Sequence, residues 1–284
     1  MSGYRFCRSD DIPLLVRAYN RCYRVEGQTI PPLTEERFKR DIRELNLWTS
    51  SCMVASSGED PIGVLLAAKR ETENWIFRLG VHPDHRRRGH GRHLLTSLSQ
   101  KLAILGPTRL LAEVPGDWTE SRAFIEACGY RAEATFVDFS RPPDPGPAEA
   151  HELVIPITLD DLIENDVVSP AGRRCWERAP ETLINVKAGL QGFAVAAGER
   201  IEAYLLYRDP AGRGEREVQA FACREPERTE QLLGLLFSHC GRTTQRPLTI
   251  PKASSDEIRF ELLESFGFEI GDETVGYAAE ATSG

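Results

Sequence analysis

Lysine is scarce in this chain of 284 residues: only five of its 35 Lys and Arg residues are lysines. None of the five follows a glycine, which excludes the Gly-Lys-Ser/Thr ending of a Walker phosphate loop. Long apolar runs are also missing. Segments such as IGVLLAA fall well short of the roughly 18 residues that span a bilayer, so no membrane partner is expected. The start, MSGYRFCRSDD, has no apolar signal-peptide core, and the expected location is cytoplasmic. There is no C-x-x-C. The seven cysteines (Cys7, Cys22, Cys52, Cys128, Cys175, Cys223 and Cys240) are odd in number and scattered, as expected of free thiols in a reducing compartment.

The composition, 41% apolar and 27% charged, is that of a globular protein, and the length suggests two domains. Charge is unevenly placed. Residues 1–141 hold 21 Lys and Arg against 18 Asp and Glu, whereas residues 142–284 hold 14 against 25. An acidic half argues against a nucleic-acid partner, which would want a basic face over much of a domain. It suits a cationic small substrate, or it simply keeps the protein soluble. Nothing in the sequence fixes an oligomeric state.

SRPPDPGPAEA, residues 140–150, cannot continue a helix or a central strand, because four prolines and a glycine crowd eleven positions. It divides the chain into 1–141, a linker 142–150, and 151–284. The two halves look alike. SCMVASSGEDPIGVLLAAKR and GFAVAAGERIEAYLLYRD each read as a hairpin, and AFIEACGY and ELLESFGF as short helices closed by glycine and an aromatic. Gly58 to Gly129 spans 71 residues and Gly198 to Gly267 spans 69, so the domain looks duplicated.

Within the first half, DDIPLLVRAYNRCY and TEERFKRDIREL predict amphipathic helices, the second opened by Thr34. WIFRLGV predicts a strand with Trp75, Phe77, Leu79 and Val81 on one face. A helix follows, carrying Leu94, Leu95, Leu98, Leu102 and Leu105, and RLLAEVP returns as a strand. Strand, glycine loop, helix, strand is a βαβ unit, so those two strands should be parallel. The expected fold class is therefore α/β, with mixed sheets flanked by helices.

The loop inside that unit, VHPDHRRRGHGRHLL, concentrates charge and glycine at a helix start. The first amides of a helix have no intrahelical acceptor and lie at the positive end of its dipole, so anions bind there. Glycine would let a pyrophosphate approach the main chain. A dinucleotide fingerprint fails, because Leu94 stands where its third glycine belongs. The pairs His82/His85 and His90/His93 are surrounded by arginines, so no metal is expected. No aromatics interleave with the arginines, unlike a strand-binding surface for nucleic acid.

Arg86-x-x-Gly89-x-Gly91 after the strand end LGV-HP resembles the acetyl-coenzyme A loop of the GCN5-related N-acetyltransferase (GNAT) superfamily. The resemblance covers most of residues 3–141, including the hairpin and AFIEACGY. It implies a tandem GNAT protein that moves an acetyl group from acetyl-CoA to the amine of a small molecule or peptide. By the same resemblance, Leu79, Gly80 and Val81 would pair with the pantetheine arm, one amide acting as oxyanion donor. Arg86, Arg87, Arg88, Gly89, His90, Gly91 and Arg92 would hold the pyrophosphate, mainly through main-chain N–H groups.

Some relatives carry the general base at the position of Glu113, which is otherwise an ordinary half-exposed strand glutamate; Glu73 is a substitute. Where many relatives have a tyrosine acid this chain has Ile125, and Trp118 stands near the place of a cofactor-binding asparagine. Tyr23 is a candidate replacement for the acid, while Tyr130 and Cys128 are expected in the core. The missing tyrosine leaves a second reading open, a non-catalytic acyl-CoA-binding sensor or structural module. In the second half, REPERTEQLLGLL replaces the basic loop with Glu225, Glu227 and Glu230 and has no glycine before Gly234, so no coenzyme A is expected there.

Overall fold

The two hairpins are built on the same loop chemistry. Strand β2 (Met53–Ser57) returns as β3 (Asp60–Lys69), with Ser57 opposite Asp60 and Gly58 at φ +62°. Glycine first in a two-residue loop suits the twist of antiparallel strands. The second pair, β8 (Gln191–Ala197) and β9 (Arg200–Arg208), turns at Gly198, also at φ +62°. The computed structural model describes residues 2–23, 30–144, 153–167, 172–198, 200–210, 212 and 214–282; most of the expected linker, 145–150, lies outside them.

Two compact units are found. The first comprises Met1–Val114, Trp118–Glu133 and Val275–Gly284, the second Pro115–Asp117 and Ala134–Thr274. In the first, β1 (Ser2–Phe6), β2, β3, β4 (Glu73–Val81) and β5 (Arg109–Pro115) lie side by side, and β12 (Glu269–Glu280) follows β5. Helices α1 (Ile12–Cys22), α2 (Glu35–Leu45), α3 (His90–Leu105) and α4 (Thr119–Ala127) complete it. Thr34 caps α2 by accepting from the Arg37 amide at 3.1 Å, as its sequence predicts.

The second unit repeats the strand order as β7 (Val154–Ile157), β8, β9, β10 (Arg216–Cys223), β11 (Leu248–Ser254) and β6 (Arg131–Arg141). Its helices are α5 (Leu159–Glu164), α6 (Pro180–Asn185), α7 (Thr229–Arg242) and α8 (Phe260–Ser265). In each unit only the fourth and fifth strands pair in parallel among the pairings described.

The units differ from a simple cut at the proline-rich segment, because each takes its sixth strand from the other half of the chain. Val275 and Tyr277 of β12 are buried among Leu94, Leu98, Leu110 and Ile125. Val137 and Phe139 of β6 are buried with Leu236, Phe237 and Ile250. Apolar burial of about 25 cal/mol per Å² holds each exchanged strand in place. Leu94, Leu95, Leu98 and Leu102 of α3 enter the first core, but Leu105, in the last turn before Gly106, is 65% exposed.

No described helix is long and apolar enough to cross a membrane. None of the seven cysteines is in a disulfide, and five of them are buried. Burial pushes Cys7 and Cys52 up to about 12 and Cys240 to about 11. Since the thiolate is the reactive form, an aromatic disulfide reagent is expected to titrate at most two thiols in the native protein, Cys223 first and the half-buried Cys128, whose thiol burial also raises, more slowly, and seven after denaturation. Rapid reaction of more than two would contradict the packing of these cores.

Candidate functional site

Between β4 and α3 the chain makes a turn with two left-handed residues. A short 3-10 turn over Pro83–His85 leads to Arg86, whose Nε donates back to the Val81 carbonyl at 3.1 Å. Arg87 then takes φ +62° and Gly89 φ +84°. The left-handed region suits glycine and is uncommon for arginine. A Cβ on Gly89 would meet nothing within 4 Å, so its requirement is conformational. Gly91 answers to space instead: a Cβ there would stand 3.1 Å from Cζ of Phe124 on α4.

The first main-chain bond across the opening turn of α3 runs from the His93 amide to the Gly89 carbonyl at 2.9 Å. The amides of His90, Gly91 and Arg92 precede it and have no intrahelical acceptor. Arg87, Arg88 and Arg92 are exposed, and no carboxylate among the described residues forms an ion pair with them. The His90 side chain is different. It is buried, and its Nδ1 meets the Tyr4 hydroxyl at 2.5 Å. Burial, then the charges of His85, Arg88 and His93, holds it below the ordinary histidine value, which favours the neutral ring. The rings of His82 and His85 are 5.9 Å apart, yet no group of three metal-ligating side chains is found among the described residues.

Next to this loop β4 and β5 part. They pair from Glu73 opposite Arg109 to Ile76 opposite Ala112, and the ladder ends there. The β4 edge facing β5 is thus left without a strand partner beyond Ile76, over the stretch that includes Leu79, Gly80 and Val81. Gly80 is fixed by packing, since a Cβ would come within 2.9 Å of the Tyr23 Cα at the end of α1. β4 also bulges: Arg78 faces Leu66 and Ile76 faces Ala67, leaving Phe77 as the extra residue. This breaks the single predicted face. Leu79 joins the α3 side with Ile76, while the Trp75 and Phe77 rings meet at 5.2 Å apart from that core.

Glu113 is half-buried on the face opposite Leu110, Ala112 and Val114, which enter the core. Glu73 sits at the far end of β4 from the loop, in an ion pair with Arg109 at 3.2 Å. Ile125 and Tyr130 are both 5% exposed, and burial pushes the Tyr130 hydroxyl well up. Burial also raises the Cys128 thiol. The buried Trp118 Nε1 has no hydrogen-bond partner. Two residues escaped the sequence reading. Tyr277 arrives with the exchanged strand and donates to Glu126 at 2.8 Å, which no local pattern could reveal. Arg78 is the one charge inside the apolar run WIFRLGV, a signal that was present.

The second unit treats the equivalent places differently. β10 and β11 pair only at Arg216 with Leu248 and Glu217 with Thr249. Past that point the fully buried Arg178 bridges them, donating to Gln219 O at 3.0 Å and Pro251 O at 3.3 Å. Its remaining donors hold Glu257 at 2.9 and 2.7 Å, and Arg174 reaches the same carboxylate at 3.3 Å. A cavity of about 900 Å³ beside this cluster is walled in part by Glu202, Glu227, Glu230 and Asp256. From Arg224 to Thr229 no described residue is left-handed, and Arg228 is bound to Glu202 at 2.6 Å.

Residues 12–130 match the acetyltransferase (GNAT) family. An acetyltransferase of Sodalis glossinidius (strain morsitans) is 27% identical over 113 residues, 40% of this chain and 75% of that one. Among solved structures, a GCN5-related N-acetyltransferase from Sphaerobacter thermophilus is similar over 100% of this chain and 96% of its own, at 19% identity and a TM-score of 0.69. A tandem GNAT protein from the clavulanic acid biosynthesis pathway is similar over 99% of both chains, at 16% identity and a TM-score of 0.63. The whole chain thus has the fold of a tandem GNAT protein, and its residues 12–130 are similar to the acetyltransferase (GNAT) family.

Proposed function

We propose that the protein is an N-acetyltransferase that uses acetyl-CoA and an amine acceptor, with its reaction centre in the first unit. The loop–helix junction carries this reading: two left-handed residues, Arg87 and Gly89, run into helix amides without intrahelical acceptors, beside three guanidinium groups that form no ion pair among the described residues. Left-handed turns of this kind gather successive N–H groups into an anion-binding concavity. A pyrophosphate fits that chemistry, with Arg87, Arg88 and Arg92 adding charge and Arg86 bracing the loop on Val81. The main chain of Leu79, Gly80 and Val81 would hold the pantetheine arm along the unpaired edge of β4, and an amide there would stabilise charge on the thioester oxygen.

The amine must lose a proton as it attacks. An alkyl amine of pKa near 10.4 is unprotonated in only about one molecule in a few thousand at pH 7. Glu113, at the mouth of the β4/β5 split, would take that proton directly or through water. The leaving thiolate would depart without the usual tyrosine, because Ile125 is apolar and Tyr130 is buried. That same pair of observations favours a second reading, an acyl-CoA-binding module without catalysis. In the second unit, Arg178 fills the space between β10 and β11, and its loop lacks the left-handed pair, so we assign no coenzyme A to it.

Incubation with acetyl-CoA and a panel of amines, following free thiol, separates the two readings: thiol release on any amine supports the enzyme, and binding with no release supports the module. Gly89→Glu should weaken acetyl-CoA at least tenfold with the fold intact by circular dichroism, since it strains φ +84° and adds an anion. Unchanged affinity would reject the loop as the pyrophosphate site.

A further inference from the structure

The bulge at Phe77 has a chemical consequence for the acceptor. Ile76 and Ala112 both face the core, so Glu113, next on β5, faces the opposite side. Without the bulge Arg78 would return to the core face. With it, Arg78 stays beside Phe77, its guanidinium 4.1 Å from that ring and 5.9 Å from the ring of Tyr23. Tyr23 stacks on Tyr19 at 4.9 Å. Arg78 and Glu113 therefore share one face of neighbouring strands at the point where those strands part.

Arg78 is half-buried and has no ion-pair partner among the described residues. One Nη1 donor goes to the Phe77 carbonyl at 2.7 Å, and no carboxylate among the described residues lies within ion-pair distance of it. It also stands near the Tyr19 hydroxyl, whose ionised form it favours, although burial dominates and pushes that hydroxyl up. Asp41, whose ionised form Arg78 also favours, is already bound by Arg37 Nε at 2.8 Å. A partly desolvated guanidinium with free donors is suited to a carboxylate, which it grips through two parallel hydrogen bonds. Plain ammonium groups would be repelled by it.

We propose that Arg78 binds a carboxylate on the acceptor, so that the substrate class is the aminocarboxylates, amino acids foremost, and not plain amines or polyamines. The amine would then lie toward Glu113 and the carboxylate toward Arg78. This rests on the transfer reading above, and the test keeps the two apart.

The twenty amino acids and their matched carboxamides are to be compared as acceptors with acetyl-CoA, and as ligands of the coenzyme A-loaded protein by calorimetry. At least one amino acid should exceed its carboxamide tenfold or more in kcat/KM, chiefly through KM. Arg78→Gln should bring that ratio to within twofold of unity while coenzyme A still binds, and Arg78→Lys, which keeps the charge, should recover part of it. Carboxamides that match the acids, or a preference that survives Arg78→Gln, would overturn the proposal and leave transfer standing. Binding of the acids that depends on Arg78 without thiol release would support the carboxylate site and sink transfer. No binding of any acid to the loaded protein and no turnover would overturn the carboxylate site outright.

Discussion

Glu257→Ala is expected to destabilise the second unit by about 3–5 kcal/mol, the range for removing one partner of a buried ion pair. Glu257 and Arg178 have side chains 1% exposed, and Arg174 is 6% exposed. Deleting the carboxylate leaves two guanidiniums facing each other out of water. Arg178 keeps three main-chain carbonyl contacts, at Gln219, Pro251 and Lys252, which soften the loss without neutralising charge. Domains are stable by only about 5–15 kcal/mol, so this is a large fraction. The double change Arg178→Met with Glu257→Leu should be milder than Glu257→Ala alone, because it removes one of the two charges stranded by the single change. Urea unfolding read separately for the two transitions tests this. A loss under 1 kcal/mol in Glu257→Ala would mean that the cluster is not desolvated as the packing implies.

The largest effect on turnover is expected from Glu113→Gln. If Glu113 receives the acceptor proton, kcat at neutral pH should fall about 10²–10⁴-fold, with acetyl-CoA affinity unchanged. The pH dependence discriminates further. An α-amino group with a pKa near 7.7–8.0 deprotonates itself above that pH, and the base then becomes dispensable. The gap between Glu113→Gln and the parent should therefore close as pH rises through about 8 for peptide N-termini, but stay open towards about pH 10 for free amino acids and alkyl amines, whose ammonium groups hold the proton longer. A uniform loss at every pH would make Glu113 a structural residue and not the base. Full activity of Glu113→Gln would remove it from the reaction.

Much of the first unit could be read from the chain. The Gly58 and Gly198 hairpin turns, the Thr34 cap, the leucine face of α3 and the alternation of β5 around Glu113 are all local signals, carried within about ten residues. Such features depend on which conformations a few neighbouring residues can adopt and on which periodicity their apolar side chains keep. The loop between β4 and α3, with its glycines, belongs to this class too, although Gly91 serves the packing of α3 on Phe124, a distant contact that spacing alone does not disclose.

The sequence by itself determined the glycine–arginine junction, the duplicated strand pattern and the absence of an equivalent loop in the second half, because each is written in contiguous residues with fixed backbone preferences. Only the tertiary structure decided that β6 and β12 change places between the halves, that a bulge turns Arg78 onto the face of Glu113, and that Arg178 bridges β10 and β11. Those outcomes depend on which distant apolar faces and orphaned main-chain groups find partners, and sequence periodicity carries no record of partners far along the chain.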